Sequence, residues 1–540
     1  MAGLPKHVLA RLGPLAARWR ERRVGFAADE RGVVAVIFAI TFCAVFLTVA
    51  VAIDYARTAT EYMRVQNAVD SAALAASHRL GLPDQDTQGP ADANAYFKAN
   101  TAKHRHVGVL DSVVLDSEKG EVQAKAHGNM LTSLLKAVGI KQIGFNNQAT
   151  VKKGRGSVEV ALVLDNSGSM GGQPIADLRT AAQNLVSVLF TGYEGTDKVK
   201  VGVVPFAAAV NVGPQYKTAS WMDTAGASPV HFENFAEPKT RFALLAQMGV
   251  AWGGCVEVRP SPHDVTDSVP AAGTPASLFV PMFNPDEPDP ANSGGASYGN
   301  NYLPDYGGSC PAPPSTCLRT GRRGRCLEWS QPPPLPPAEA QARTCKYEGA
   351  SIGSAQGPNY LCDAKPILPL TTNKASVVTM VQGLIAKGGT NILEGLMWGW
   401  RVLSPEEPFT EGRAYDDPEN AKYLVLMTDG ENWHQAMSNH NKSSYHSFGY
   451  AVKGRLGTTY TNTALVNQMN AKTLAACTNA KAAGIKVYTV AFRLDDAATL
   501  AMLASCASGG AYAYKASNGA ALMHAFESIG REIAKLRVAG

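Results

Sequence analysis

From Gly32 to Ile53 the chain runs for 22 residues without a charged side chain. At 1.5 Å of rise per residue, such a run forms a helix of about 33 Å. The hydrocarbon core of a bilayer is about 30 Å thick, so the segment is predicted to be a transmembrane helix over residues 32–53. A basic flank precedes it: residues 1–31 contain seven Lys/Arg and three acids. That asymmetry predicts a cytoplasmic N-terminal segment, 1–31, and export of the chain beyond the helix. A cleaved signal peptide is the rival reading, because Ala50-Val51-Ala52 has the small-residue pattern of a cleavage site. The run is longer than the roughly 7–15 residues of a signal-peptide core, which favours a retained anchor.

The basic flank also accounts for most of the net charge of +5, leaving the remaining chain close to neutral. No basic stripe of the kind that neutralises phosphates is present, which argues against a nucleic-acid partner. Hydrophobic residues make up 45 % of the chain and charged residues 18 %, the range of a folded protein. Cys43 lies in the apolar run, and eight cysteines come after it: Cys255, Cys310, Cys317, Cys326, Cys345, Cys362, Cys477 and Cys506. An even number suits an oxidising compartment. Cys477 with Cys506 is the expected pair in the C-terminal helical region, and Cys255 with Cys362 the candidate closure of a long insertion. No C-x-x-C spacing supports a zinc ribbon or a redox site.

After the anchor, residues 54–76 read as a continuing helix rich in Ala, Val, Met and Leu. A polar linker with Gly81, Pro83, Gly89 and Pro90 comes next. Residues 107–152 read as a small α/β unit, with strands either side of a turn near Lys119 and a short helix in NMLTSLLKAV; with the helix, residues 54–152 form a stalk. From Ser157 the pattern changes. VEVALVLD, KVKVGVVPFA, KYLVLMTD and KVYTVAF are buried-strand runs separated by helical stretches, the signature of a mostly parallel sheet over 157–537. Two insertions interrupt it. That at about 213–375 is rich in Pro and Gly and carries six of the eight exported cysteines; that at about 430–460 is polar and aromatic. The first is expected to be a disulfide-stapled loop.

The sharpest chemical feature is Asp165-Asn166-Ser167-Gly168-Ser169 at the end of a predicted buried strand. Open α/β sheets bind ligands at the carboxyl ends of their strands. A carboxylate and two hydroxyls in one turn offer three hard oxygens to one point. Mg²⁺ takes oxygen ligands in near-octahedral geometry, and proteins seldom supply all six. Mn²⁺ and Ca²⁺ are alternatives for the same donors. Asp and Ser also cap helices, and Asn391-Ile392-Leu393-Glu394 reads as a capping box.

Asp-x-Ser-x-Ser after a strand, then Thr390 in GGTNILEG, then Asp429 in LVLMTDGEN, resembles the metal-ion-dependent adhesion site of von Willebrand factor A domains. The resemblance covers about 157–212 and 376–537, with both insertions outside it. It implies a Rossmann-like domain in which Ser167, Ser169 and Thr390 hold the cation and Asp165 and Asp429 act largely through bound water. A carboxylate from a protein partner would complete the shell. The site is expected at the surface, where Asp165→Ala would abolish metal-dependent partner binding and leave the fold largely intact.

The N-terminal region is similar to TadG-like proteins of the Flp (tight-adherence) pilus system. Arg31-Gly32 before the apolar run, Ala52-Ile53-Asp54-Tyr55-Ala56 at its end, and Gln66-x-x-x-Asp70-x-Ala72-Ala73-Leu74-Ala75 carry that likeness. Position 37 is Ile where processed pilins carry Glu, which argues against prepilin-type cleavage after Gly32. The likeness implies a bacterial single-pass inner-membrane protein with its C-terminal part in the periplasm or surface-exposed. Its partners would be pilus components or a host or neighbouring surface.

Other motifs are weaker. Gly295-Ala296-Ser297-Tyr298-Gly299 fits G-x-S-x-G, but its Pro/Gly-rich surroundings lack the strand and helix of a nucleophile elbow. His434, His440 and His446 share the short insertion and read as loop histidines on a polar surface rather than a zinc site. The sequence therefore points to a non-enzymatic, cation-dependent binding protein with no catalytic residues. The other readings are a structural scaffold with an empty cation site, or an envelope hydrolase.

Overall fold

The computed structural model describes residues 31–80, 84–102, 108–116, 121–152, 156–311, 316–330, 333–353 and 356–538. The basic segment before Arg31 and the turn near Lys119 lie outside the described residues. The chain divides into two units, one ending at Lys153 and one running from Gly154 to Ala539.

In the first unit the apolar run is the opening half of a single helix, α1 (Arg31–Ser77). Its second half buries Val65, Ala68, Val69, Ala72, Ala73 and Ala76, a stripe of small side chains that lets a sheet approach closely. A second helix, α2 (Gln85–Thr101), stands where Gly and Pro predict a linker. Gly89 faces the sheet there: a Cβ on it would lie 2.7 Å from Leu115 Cδ2. The turn signals of Gly89 and Pro90 are thus overridden by packing. Strands β1 (Val109–Asp116), β2 (Glu121–Leu131) and β3 (Gln142–Lys152) form an antiparallel sheet in that order. The expected helix in NMLTSLLKAV is mostly absent. Asn129–Leu131 extend β2, and only the 3-10 turn Leu135–Val138 is helical. Pairing of β2 with β3 outweighs the local helix propensity of those residues.

The second unit is built on a six-stranded sheet. Its strands are β4 (Ser157–Asp165), β5 (Val199–Phe206), β8 (Leu368–Thr371), β9 (Asn420–Thr428), β10 (Lys486–Phe492) and β11 (Ala513–Ala516), ordered β11-β10-β9-β4-β5-β8. All neighbours are parallel except β5 and β8, which are antiparallel. A hairpin of β6 (Cys317–Thr320) and β7 (Cys326–Trp329) stands apart from this sheet. β8 and β11 were not legible in the sequence. Each has four residues, and β8 carries Pro369, which suits only an edge.

Every residue of β4 and β9 is buried, because both faces of the sheet are covered. Alternation divides β4 between two cores. Val158, Val160, Leu162 and Leu164 pack with α3 (Gln173–Phe190), α4 (Lys374–Gln382) and α8 (Gly519–Val538). Ala161 and Val163 pack with α5 (Ile392–Leu403), α6 (Asn462–Ala482) and α7 (Ala497–Cys506).

The long insertion is not a loop outside the domain. Trp221, Phe279, Phe283 and Tyr347 belong to the second core, and Phe279 lies 4.8 Å from Trp398 ring to ring. Its last part supplies β8. Disulfides join Cys255 to Cys362, Cys310 to Cys345 and Cys317 to Cys326, and a fourth joins Cys477 on α6 to Cys506 on α7. Buried charges tie the two insertions together: Glu257 accepts from Arg241, from Tyr445 and, at 2.6 Å, from Arg455. Lys346, fully buried, pairs with Asp286 at 2.7 Å.

One charged pair lies within the sheet itself. Glu159 of β4 faces Lys422 of β9 in register, with Nζ 2.6 Å from Oε2. Glu159 also accepts from Asn420 Nδ2 and the Arg413 backbone. Removing one partner of a buried pair leaves an uncompensated charge, at a cost of about 3–5 kcal/mol. Glu159→Ala is therefore expected to lower the unfolding free energy of the second unit by about that amount in denaturant titration. Glu159→Leu combined with Lys422→Met should recover most of it.

Candidate cation site

Three loops meet at the carboxyl ends of β4 and β9. The first, 165–169, leaves β4; the second, 388–391, enters α5; the third, 429–433, leaves β9. Backbone hydrogen bonds lock them together. Gly168 N donates to Gly388 O at 2.9 Å, Lys387 N to Asn166 O at 2.7 Å, and Trp433 N to Thr390 O at 2.8 Å. Asn391 N donates to Ala207 O at 2.9 Å, and Ile392 N to Asn432 Oδ1 at 2.8 Å. Asn391 caps α5 by accepting from Glu394 N. Glu394 does not complete a capping box; it turns inward and accepts from Trp398 Nε1 at 3.1 Å.

The five expected residues occupy this junction. Ser169 Oγ donates to Asp429 Oδ1 at 2.7 Å, Ser167 Oγ lies 3.0 Å from Ser169 Oγ, and Ser167 Oγ is 3.5 Å from Asp429 Oδ1. Thr390 faces the same space: a Cβ on Gly430 would sit 3.6 Å from Thr390 Oγ1 and 3.9 Å from Ser169 Oγ. Asp165 is placed differently from the surface position expected of it, being fully buried. Its Oδ1 accepts from Ser167 N at 2.7 Å and its Oδ2 from Thr428 Oγ1 at 2.6 Å. Asp165→Ala would free the buried Ser167 N–H and leave Thr428 Oγ1 only the Gly430 carbonyl as acceptor, so it is not a silent change to the fold.

Burial, and then the nearby Asp429 carboxylate, push the Asp165 pKa up to about 6. Asp429 is also raised, chiefly by burial. Two carboxylates, one of them disfavouring the other's ionisation, beside three hydroxyls are the hard-oxygen donors that could hold a divalent ion. No cluster of three or more His, Cys, Asp or Glu suited to a metal occurs among the described residues, so any ion here would depend on the hydroxyls.

The junction opens into a cleft of about 580 Å³, walled by Tyr360 and Leu361 of the long insertion, Trp433 and His434 of the short one, and Val466 of α6. These walls were not foreseen. Thr428 was missed too, although the pairing of Leu164 with Met427 sets it across from Asp165. Gly389 is needed beneath Trp433, since a Cβ there would lie 2.3 Å from the indole.

The other candidates separate. His434 and His446 are buried with rings stacked 4.7 Å apart, not on a polar surface, while His440 lies 2.6 Å from the Tyr298 hydroxyl. Desolvation holds His434 down to about 4. Ser297 sits in irregular backbone with neither strand before it nor helix after it.

The motif residues of the first unit have structural work. Asp54 accepts from the backbone N–H groups of Ser133, Leu134 and Leu135 at 2.8–2.9 Å. Gln66 bridges Asp70 at 2.9 Å and the Gln148 carbonyl at 3.1 Å, and accepts from Asn147 at 2.9 Å.

Residues 32–81 match the family model described as "Putative Flp pilus-assembly TadE/G-like". No curated protein sequence matches the chain. Among solved structures, the von Willebrand factor domain of the type V pili tip protein Mfa5 from Porphyromonas gingivalis is similar at 10 % identity, covering 70 % of this chain and 96 % of that one, with a TM-score of 0.32. The adhesive tip pilin GBS104 from Group B Streptococcus agalactiae is similar at 9 % identity, 70 % and 100 % coverage and a TM-score of 0.33. Proximal thread matrix protein 1 from the mussel byssus, with a zinc-occupied MIDAS motif, is similar at 11 % identity, 71 % and 48 % coverage and a TM-score of 0.28. Residues 32–81 are thus similar to the TadE/G-like family of Flp pilus assembly, joined in this chain to an α/β unit built on a mostly parallel six-stranded sheet.

Proposed function

We propose that this protein is a membrane-anchored, non-enzymatic component of an Flp-type pilus system that captures a protein partner through a divalent cation held by Ser167, Ser169, Thr390, Asp165 and Asp429. The observation that carries this reading is the convergence of three cross-bonded loops on one open point, where Ser167, Ser169 and Thr390 line a cleft, Asp429 accepts from Ser169 beside it and Asp165 is buried behind them. Mg²⁺, with Mn²⁺ or Ca²⁺ as alternatives, would supply there a Lewis-acidic position for a carboxylate of the partner. Ser169, exposed at the rim, and Thr390 present hydroxyls to that position. Asp165, held by Ser167 N and Thr428, fixes the angle of the first loop. The apolar walls at Tyr360, Leu361 and Trp433 suit a partner whose acidic residue is flanked by an apolar one.

Ser169→Ala removes an exposed hydroxyl without a buried partner being stranded. It is expected to weaken Mg²⁺ and Mn²⁺ binding about tenfold or more in calorimetric titration, with unchanged unfolding. Partner capture from envelope extracts should fall with it, and should be lost on chelation. Wild-type protein that binds no divalent ion at millimolar concentration, or captures its partner equally in chelator, would leave the scaffold reading in place.

Tyr360→Ala should leave cation affinity unchanged and reduce partner capture, since Tyr360 lines the cleft from the long insertion. Equal loss of both would mean that the insertion supports the loops rather than contacts the partner.

The anchor reading places 1–31 in the cytoplasm and the rest across the inner membrane, in the periplasm or at the surface. α1 carries a membrane-length apolar segment beginning at Gly32. A reporter fused after Gly540 should be active only if it works outside the cytoplasm; activity of a cytoplasm-only reporter there would reverse the topology.

A further inference from the structure

The uncharged run of α1 ends at Ile53, and the next residue, Asp54, is tied by three backbone N–H groups to the loop between β2 and β3. Arg57, one turn on, donates to Ser133 of the same loop. The buried stripe of α1 begins earlier still, at Ala50, inside the uncharged run, and continues through Asp54 and Thr58. The 3-10 turn Leu135–Val138 packs against α1, with Leu135 buried. The loop is therefore held level with the last turn of the membrane-length segment.

Its outward side is apolar. Leu131 is 70 % exposed, Val138 56 % and Ile140 47 %. Between them Gly139, at φ +92°, forms the tip, and no atom would lie within 4 Å of a Cβ placed there. The loop is internally braced: Thr132 N donates to Lys141 O at 3.1 Å and Thr132 Oγ1 to Ile140 O at 2.5 Å. Its charged side chains, Lys136 and Lys141, are both exposed, and no acid lies within 131–141. Tyr55, 71 % exposed on α1 at the same level, is the residue type that settles at a membrane interface. Aliphatic side chains at the tip and long cationic ones beside them suit a surface whose interior is apolar and whose headgroups are anionic.

We propose that the 131–141 loop docks in the bilayer interface beside α1, with Leu131, Val138 and Ile140 below the headgroups and Lys136 and Lys141 among them. The occupant of this apolar tip is the lipid surface from which α1 emerges. Together, helix and loop give the first unit two points of membrane attachment, fixing its height and rotation where a lone helix would fix neither. This rests on the anchor reading of 32–53, and the test separates the two.

The full-length protein is reconstituted in vesicles of phosphatidylethanolamine with a minor share of phosphatidylglycerol, carrying one nitroxide label. Cys43 is free and exposed, so it takes the label in the native chain. In a Cys43→Ser background the label is placed instead by Val138→Cys or Val114→Cys. Val114 pairs with Gln123, eight residues along β2 from Leu131, roughly 27 Å away. Accessibility to oxygen and to a water-soluble nickel chelate then reads depth. The Cys43 label is expected deep in the acyl region and the Val114 label in water. The Val138 label should be several-fold less accessible to the chelate than the Val114 label. Adding Ile140→Asp and Lys136→Glu should return the Val138 label to the aqueous value while Cys43-labelled protein with the same two changes stays deep. A Val138 label as exposed as Val114, with Cys43 deep, overturns the proposal and spares the anchor. A Cys43 label outside the acyl region overturns both.

Discussion

β4 is hydrogen-bonded along both edges, to β5 and β9, and apolar side chains cover both of its faces. A strand so enclosed has no access to water until it ends, and at its end the polar groups must be met by other loops. That requirement shapes the whole carboxyl edge of the second unit. Asn166 N finds Phe206 O, Asp165 takes Ser167 N and Thr428 Oγ1, and Gly168 N reaches Gly388 O. The same bonds that satisfy the strand's end also turn Ser167, Ser169, Thr390 and Asp429 toward one point. Assembly of the site and termination of the central strands are one structural event. At the opposite end of the sheet, the buried Glu159–Lys422 pair holds the register that sets Thr428 across from Asp165.

The long insertion contributes to this domain more than length. Helix α5 has no solvent-facing side: all twelve of its residues are buried, Glu394 and Arg401 included. A helix of that kind must be covered all round, and the sheet covers only one side. Trp221, Phe279 and Phe283 cover much of the rest together with α6, with Phe279 tilted against Trp398 at 4.8 Å between ring centroids. The disulfide Cys255–Cys362 closes 107 residues of this segment. In the chain-entropy account, a loop near 100 residues gains about 4.7 kcal/mol from such a closure. That helps explain how so many Pro and Gly residues hold a fixed arrangement around the cleft. The buried group of Glu257, Arg241, Tyr445 and Arg455 then joins the long insertion to the short one, so Tyr360 and Trp433 form walls of a single cleft.

In the first unit the motif residues turn out to be joints. Asp54 serves the loop after β2, and Gln66 serves β3, each through backbone groups far along the chain. One helix thus carries the membrane-length segment and the surface on which the small sheet is built. A change in the pitch or length of α1 between Asp54 and Gln66 would move those joints out of register, which gives the segment similar to the TadE/G-like family a mechanical role within the first unit.

Local signals decided much by themselves. The uncharged run, the alternation of apolar strands and helices from Ser157, and the Asp165-Asn166-Ser167-Gly168-Ser169 turn are each properties of near neighbours in sequence, set by helical rise, pleat and loop chemistry, whereas Thr390 and Asp429 joined that turn only through a family resemblance. Pairing over distance was not legible that way. β8 and β11 are too short to carry a period, and α2 contains Gly and Pro that read as a break until Gly89 is seen against Leu115. The insertion read as a loop because Pro and Gly dominate its local pattern, while its few large aromatics find their core only through contacts with α5. Asp165 read as a surface ligand because its neighbours are polar. Only the tertiary structure buries it, since whether a residue at a strand's end meets water depends on loops that arrive from hundreds of residues away.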